Sequence, residues 1–247
     1  MPLRSVVIGG SAGLGRALAE ELAAAGHDLF LVATDRRDLE ALAADLKIRF
    51  KRRVAIHAAD IREIPAAALR ESCVSQLGKP DCLFLVSGQS DPERDFEGLS
   101  ENDVDRLIQV NFAAPVRIAL AFLPDLIQSR NGACVGIGTV AQARARARNT
   151  VYAASKQALE FFFEGLHQKL TWTSCRIQYY RVGFMNTQMT FGRESILPYA
   201  DPSYVAKKIV AGLDRDRIGT YLPWWWAVVM TVYRFLPWSI FRKLRSL

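Results

Sequence analysis

Eight consecutive residues near the start, Gly9-Gly10-Ser11-Ala12-Gly13-Leu14-Gly15-Arg16, have the composition of a turn that holds an anion. Glycines let the backbone bend sharply and approach a pyrophosphate closely. A helix opening near Leu14 then aims free N–H groups and its positive dipole end at that anion. The run follows the β-branched residues Val6-Val7-Ile8, so it sits at a strand-to-helix junction, the context a dinucleotide fingerprint requires. Metal and disulfide chemistry find less support. Cys73, Cys82, Cys134 and Cys175 form no CxxC pair, and His27, His57 and His167 lie far apart, so neither a metal site nor a disulfide framework is expected.

The elements that must position this turn alternate along the chain. Leu14, Leu18 and Leu22 recur at a spacing of four, as on one face of a helix. Leu29–Val32 reads as a second strand and Asp38–Leu46 as its helix. Val54–His57 and Cys82–Val86 read as third and fourth strands. Asn102–Phe122 reads as a helix that ends near Pro124. Cys134–Ile137 is a fifth strand, Tyr152–Leu170 a long helix and Arg176–Val182 a sixth strand. Such alternation predicts an α/β fold, a single doubly wound Rossmann domain with a parallel sheet. The 247 residues suit one such domain, large enough to bury a core without disulfide staples. The start, Met1-Pro2-Leu3-Arg4, runs straight into a strand with no apolar leader. A reducing cytoplasmic compartment is therefore expected.

Further residues fall into the pattern of a known family. The glycines are spaced GxxxGxG, and Tyr152-Ala-Ala-Ser-Lys156 is a YxxxK pair. Thr139 lies thirteen residues before the Tyr, Asn111 sits in Val-Asn-Phe, Asp60 follows the third strand, and Gly183 and Thr187 follow the sixth. On these residues the stretch from about 4 to 215 resembles the short-chain dehydrogenase/reductase family. There are departures: Leu85-Val86-Ser87-Gly88 keeps only the Gly of the family's Asn-Asn-Ala-Gly, Val182-Gly183 replaces Pro-Gly, and Thr139 stands where Ser is usual.

The resemblance implies carbonyl reduction with NADH or NADPH. In it Tyr152 donates the proton, Thr139 hydrogen-bonds the carbonyl, Lys156 holds ribose hydroxyls and Asn111 holds a relay water. A cation about 4 Å from a phenol is worth on the order of 4 kcal/mol at an effective dielectric of 20, or roughly three pKa units. Lys156, one helical turn from Tyr152, is therefore expected to pull the phenol toward neutrality. The implied cofactor contacts are Gly9, Ser11, Gly13, Leu14, Gly15, Arg16, Thr34, Asp35, Asp60, Ile61, Gly88, Gly183 and Thr187, with Tyr152 and Lys156. The segment Ala33-Thr34-Asp35-Arg36-Arg37 leaves the cofactor open. Asp35 suits a 2′-hydroxyl, whereas Arg16, Arg36 and Arg37 suit a 2′-phosphate.

The net charge of +7 is unevenly placed. From Gly219 to Leu247 there are four basic residues (Arg234, Arg242, Lys243, Arg245), no acidic one, and four of the five Trp. The sixteen uncharged residues between Arg217 and Arg234, broken by Pro223, fall short of the ~20 that span a bilayer. Trp, Tyr and Phe mixed with Arg and Lys are typical of interfacial segments. The expected division is thus a Rossmann domain over 1–218 and an amphipathic, membrane-interfacial segment over 219–247. A cover over an apolar pocket or a subunit contact is the alternative. Arg144, Arg146 and Arg148 alternate with Ala between Thr139 and Tyr152; they read either as a phosphate clamp at the substrate mouth or as a solvated loop.

The Arg144–Lys156 stretch and the ending Pro237-Trp-Ser-Ile-Phe-Arg-Lys243 resemble one branch of the family, the reductase components of decaprenylphosphoryl-ribose 2′-epimerases. That resemblance implies reduction of a polyprenyl-phosphoryl 2-keto-pentose, a lipid-linked sugar of cell-wall biosynthesis, beside a flavoprotein oxidase that makes the ketone. The expected partners are this lipid-phosphate substrate, the oxidase and the inner face of the cell membrane, with no nucleic acid. Phe161-Phe162-Phe163 on the long helix adds an expected homo-oligomer. Two rival readings are a reductase of another lipophilic carbonyl (3-oxoacyl, steroid or retinoid-like) and a non-catalytic dinucleotide-binding adaptor.

Overall fold

The computed structural model of the chain describes residues 2–187 and 197–243. Its β-branched and apolar runs form β1 (Arg4–Ile8), β2 (Asp28–Ala33), β3 (Val54–Ala58), β4 (Cys82–Leu85), β5 (Ala133–Thr139), β6 (Arg176–Val182) and β7 (Arg217–Leu222). All pair in parallel in the order β3-β2-β1-β4-β5-β6-β7. Helices α1 (Gly13–Ala24), α2 (Arg36–Phe50), α3 (Ala66–Leu77), α4 (Pro92–Glu97), α5 (Glu101–Ile108), α6 (Ala114–Gln128), α7 (Thr150–Leu170) and α8 (Pro202–Val210) connect the strands.

Side chains alternate across a strand, so each strand feeds two cores. Val7, Leu31, Phe84 and Val135 pack with Leu18 of α1, Leu42 of α2 and Ile209 of α8. Val6, Phe30, Leu83 and Cys134 point the other way, onto Leu69 of α3, Phe122 of α6 and Phe163 of α7. A sheet buried on both faces explains why its strands read as continuous apolar runs. All four cysteines are free and buried. Burial pushes the Cys73 and Cys82 thiols up to about 12 and Cys175 up to about 11.

Two expectations are corrected. The helix expected to end near Pro124 continues to Gln128, with a wider π turn at Gln109–Ala113 between α5 and α6. Proline removes one helical hydrogen bond, but the extra turn brings Asp125 into bidentate contact with Arg70 at 2.6 and 2.8 Å and Leu126 into the core. Glu101–Gln128 as a whole is long and apolar enough to cross a membrane, and here Ile118, Phe122 and Leu126 pack it against the sheet.

The expected boundary at 218/219 falls inside β7, which pairs with β6 through Leu222. The segment beyond the sheet therefore starts at Pro223. It forms α9 (Trp226–Phe235) and α10 (Trp238–Phe241). Trp226, Met230, Tyr233 and Phe241 pack with Val140 as a third, smaller core. Of the four basic residues of the tail, Arg245 lies outside the described residues.

Candidate active site

A cleft of about 630 Å³ opens at the carboxyl ends of the strands. Its walls come from the turns after β1, β2, β3, β4 and β6 and from the end of β5. The strand order reverses between β1 and β4, which is where open parallel sheets bind their ligands.

The turn after β1 is shaped by backbone. Gly9 and Gly13 adopt φ of +87° and +51°, and a Cβ on Gly15 would lie 1.9 Å from the Gly9 carbonyl oxygen. The N–H groups of Gly9 and Gly10 both donate to Val32 O, at 2.8 and 3.1 Å, fastening the turn to the end of β2. Ala12 supplies no side-chain cap, so the first N–H groups of α1 lie uncapped on the cleft wall beside Ser11, Gly13, Leu14 and Gly15. Across from them the hydroxyl of Ser87 is buried without a partner. A bare helix start, a cradle that only glycine fits and an orphan hydroxyl suit the pyrophosphate and sugar of a dinucleotide.

Thr34, Asp60, Ile61, Gly88 and Thr187 also line the cleft, as expected. Three other expected contacts do not. Arg16 faces outward and pairs with Glu20 at 3.1 Å. Asp35 caps α2, its carboxylate accepting Asp38 N at 3.0 Å, because a helix start claims the nearest short carboxylate. Arg36 and Arg37 beside it pair with Glu40 and Asp38. Gly183 serves packing: a Cβ there would lie 1.8 Å from the indole nitrogen of Trp226.

Sequence reading missed Arg62, whose Nε donates to both oxygens of Asp60 at 3.0 and 2.9 Å. That pairing holds the Asp60 carboxyl below its usual range. Its only signal was a basic residue two positions on.

Tyr152 and Lys156 line the cleft beside Ile137 and Gly138 of β5, and Thr139 is the next residue of that strand. Thr139 stands near enough to the Tyr152 phenol to oppose its upward shift, and its Oγ1 accepts Ala141 N at 3.2 Å. The Lys156 ammonium donates to Ser87 O and Ile137 O, both at 3.1 Å. This fold does not arrange the expected lowering of Tyr152 by Lys156. Burial pushes the phenol up to about 12, with Thr139 pulling the other way, and burial also brings Lys156 down to about 8. Lys156 is tied to two carbonyls, and desolvation dominates at both groups.

Asn111 sits on the π turn, fully buried. Its Oδ1 accepts Gln89 N and its Nδ2 donates to Gln89 O, both at 2.9 Å. The amide expected to hold a relay water thus has both ends tied to backbone and fixes the strand-end loop. A Cβ on Gly88 would meet Lys156 Nζ at 3.2 Å and Asn111 Oδ1 at 3.4 Å, so this loop passes directly over both side chains.

Behind the floor lies a polar network that sequence reading did not find. Gln142 Oε1 accepts Thr139 N at 2.9 Å, and its Nε2 donates to the fully buried carboxylate of Glu160. Arg181 pairs with Glu160 at 2.8 Å and donates to Tyr221 Oη at 3.0 Å. The Tyr179 hydroxyl donates to Lys156 O at 2.9 Å. The only signal was Glu160 standing one turn beyond Lys156, where any exposed helix could carry it.

The three loop arginines separate. Arg144 donates to the carbonyls of Tyr233 (2.9 Å), Arg234 (3.4 Å) and Leu236 (2.7 Å) and stacks on Phe241, 3.8 Å from the ring centroid. It caps the C-terminal end of α9, whose last carbonyls lack helical partners, so its expected place in a phosphate clamp is taken. Arg146 is half-buried beside Tyr233, and Arg148 is exposed.

Residues 4–195 match the family model described as short chain dehydrogenase. The chain is 30% identical over 252 residues to an uncharacterized oxidoreductase of Streptomyces coelicolor, covering 98% of this chain and 96% of that protein. It is 26% identical to a fatty acyl-CoA reductase of Acinetobacter baylyi, over 88% of this chain and 76% of the other. Among solved structures, a short-chain dehydrogenase from Sphingobium yanoikuyae in complex with NADPH superposes with a TM-score of 0.81 at 27% identity. That match covers 100% of this chain and 97% of the other.

Proposed function

The chain belongs to the short-chain dehydrogenase/reductase family and is an NAD(P)-dependent oxidoreductase, and from that premise we propose that it reduces a polyprenyl-phosphoryl 2-keto-pentose. This is the second half of a ribose-to-arabinose epimerisation, with the ketone supplied by a separate flavoprotein oxidase. The glycine turn, Thr34, the Asp60–Ile61 segment, Ser87, Gly88 and Lys156 hold the dinucleotide, NADH or NADPH. A bound reduced nicotinamide supplies the hydride that the carbonyl carbon accepts. Tyr152 gives its phenolic proton to the carbonyl oxygen, and Thr139 donates a hydrogen bond to the same oxygen. A phenol held near 12 stays protonated until oxyanion character develops beside it. Lys156, one helical turn away and near 8, is the group that can return a proton to the phenol afterwards.

The observation that carries the lipid-phosphate part is the Arg144 attachment. It fastens the aromatic, basic tail to the same loop that leads from Thr139 to Tyr152. The outward side of that tail presents Trp224, Val228, Val232 and Phe235 at helical spacing, followed by Trp238, all more than half exposed. Arg234, Arg242 and Lys243 flank them, and no acidic residue follows Asp216. These features support peripheral contact with the anionic cytoplasmic face of a membrane, where the lipid substrate resides. Of the three successive Phe on α7, Phe163 is core and Phe161 is 73% exposed, which leaves Phe161 to a second copy of the chain.

The test is oxidation of NADPH and NADH with a polyprenyl-phosphoryl 2-keto-ribose against a panel of lipophilic ketones. The lipid-linked sugar should be preferred. Tyr152→Phe should lose about 10²–10⁴-fold in turnover with cofactor binding intact. Equal turnover of 3-oxoacyl, steroid or retinoid-like carbonyls would favour the broader lipophilic reductase. Unchanged turnover in Tyr152→Phe would end the mechanism.

A further inference from the structure

Glu160, one turn beyond Lys156, is 0% exposed, and a carboxylate so placed is costly unless partners surround it. Arg181 supplies one side, with contacts at 2.8 and 3.0 Å. Gln142 supplies the other, its Nε2 donating to Glu160 Oε2. Gln142 is buried too, on the short turn Val140–Ala143 that follows β5.

A side-chain amide can face a neighbour with either end, one accepting and the other donating. Here the carboxylate decides which. Paired with Arg181, Glu160 has no hydrogen to give, so the Gln142 NH2 must face it and the carbonyl oxygen must face away. That oxygen accepts Thr139 N at 2.9 Å. The reverse orientation would set carbonyl against carboxylate and NH2 against the Thr139 N–H, two repulsive pairs. The amide has no room to drift. A Cβ on Gly138 would collide with Gln142 Oε1 and Tyr179 Oη, so both pack directly behind a strand end that lines the cleft. In the same turn Thr139 Oγ1 accepts Ala141 N at 3.2 Å, which leaves the hydroxyl hydrogen to be donated elsewhere.

We propose that Gln142, oriented by Glu160 and Arg181, is a positioning residue that aims the Thr139 hydroxyl at the substrate carbonyl. Four groups form one directed chain: guanidinium to carboxylate, carboxylate to amide, amide to the backbone of Thr139. The chain acts on turnover through Thr139 and leaves the cofactor end alone. This inference rests on the role given to Thr139 above.

The test is a double-variant cycle on the most rapidly reduced member of the ketone panel, with NADPH affinity measured in parallel. Gln142→Met keeps the length of the side chain and removes both polar ends. It should lower kcat about tenfold, with KM and NADPH affinity nearly unchanged. Thr139→Val should lose at least as much, and adding Gln142→Met to it should cost nothing further. The exchange Gln142→Glu/Glu160→Gln keeps every donor facing an acceptor, so it should recover most of the turnover that Gln142→Glu alone loses. Losses that multiply in the double variant, or an exchange no better than Gln142→Glu, would overturn the part given to Gln142 while leaving Thr139 in place. Full turnover in Thr139→Val would overturn both.

Discussion

The turn after β1 holds its shape with backbone: two positive-φ glycines, two N–H groups on one carbonyl, and a Gly15 with no room for a methyl. The turn after β5 holds its shape with side chains: Gln142 on Thr139 N, Glu160 on Gln142, Arg181 on Glu160, and Arg144 on the end of α9. Both border the same reaction space. The first offers a neutral array of N–H groups, suited to an anion that every member of such a fold binds alike. The second gathers hydroxyls and charges whose protonation can be tuned, which is what chemistry and substrate choice require. A site can thus keep its cofactor end rigid while its substrate end is rebuilt residue by residue.

The sharpest way to break this contrast is to remove one side chain from the second corner. Glu160→Leu leaves Arg181 facing the interior without its carboxylate and should cost about 3–5 kcal/mol in denaturant unfolding. The double variant Glu160→Leu/Arg181→Leu should recover most of that loss. A loss below about 1 kcal/mol would show that the network only decorates a floor held by apolar packing. NADPH affinity should hardly change in either variant.

Gly15→Ala should do the reverse. Overpacking at the backbone corner should cost about 1–3 kcal/mol in stability, yet it moves the N–H array and should weaken NADPH binding tenfold or more, read by calorimetry. Intact affinity would show that the turn has give.

The smallest effect is a pH slope. Lys156 is lowered from its ordinary 10.5 to about 8, so between those values the unfolded chain holds the extra proton. The contribution of Lys156 then rises with pH across that window, with its full penalty present below about 8, and above about 9 it is opposed by the buried thiols, which keep protons that the unfolded chain loses. Tyr152 is raised from 10 to about 12, so its contribution is complete below 10 and fades as pH climbs to 12. The difference in thermal unfolding between wild type and Lys156→Met should show the rise alone from pH 8 to 10.5, because the thiols and Tyr152 act equally in both. An unchanged rise would mean another group titrates there.

The same contrast explains what could be read from sequence. The first corner was legible because glycine at fixed spacing is a covalent statement about backbone, and the strands were legible because a doubly buried sheet demands unbroken apolar runs. Tyr152, Lys156 and Thr139 came from a resemblance; the first two line the cleft and Thr139 ends the strand beside them. The second corner was not legible, since Gln142, Glu160 and Arg181 become neighbours only through tertiary packing. Asp35 and Asn111 misled for a related reason: a helix start and a loop carbonyl claimed side chains that local sequence offered to a ligand. Strand β7 was hidden because Arg217–Leu222 is a partly exposed edge with glycine inside it.

The four buried thiols give the molecule its own clock. Cys73 lies on α3, Cys82 and Cys134 on adjacent central strands and Cys175 just before β6, each far too basic a thiol to react while covered. A thiol reagent added to the native protein therefore stays silent until a helix lifts or the sheet parts. The interval before each alkylation reports how often that region opens, with no label introduced.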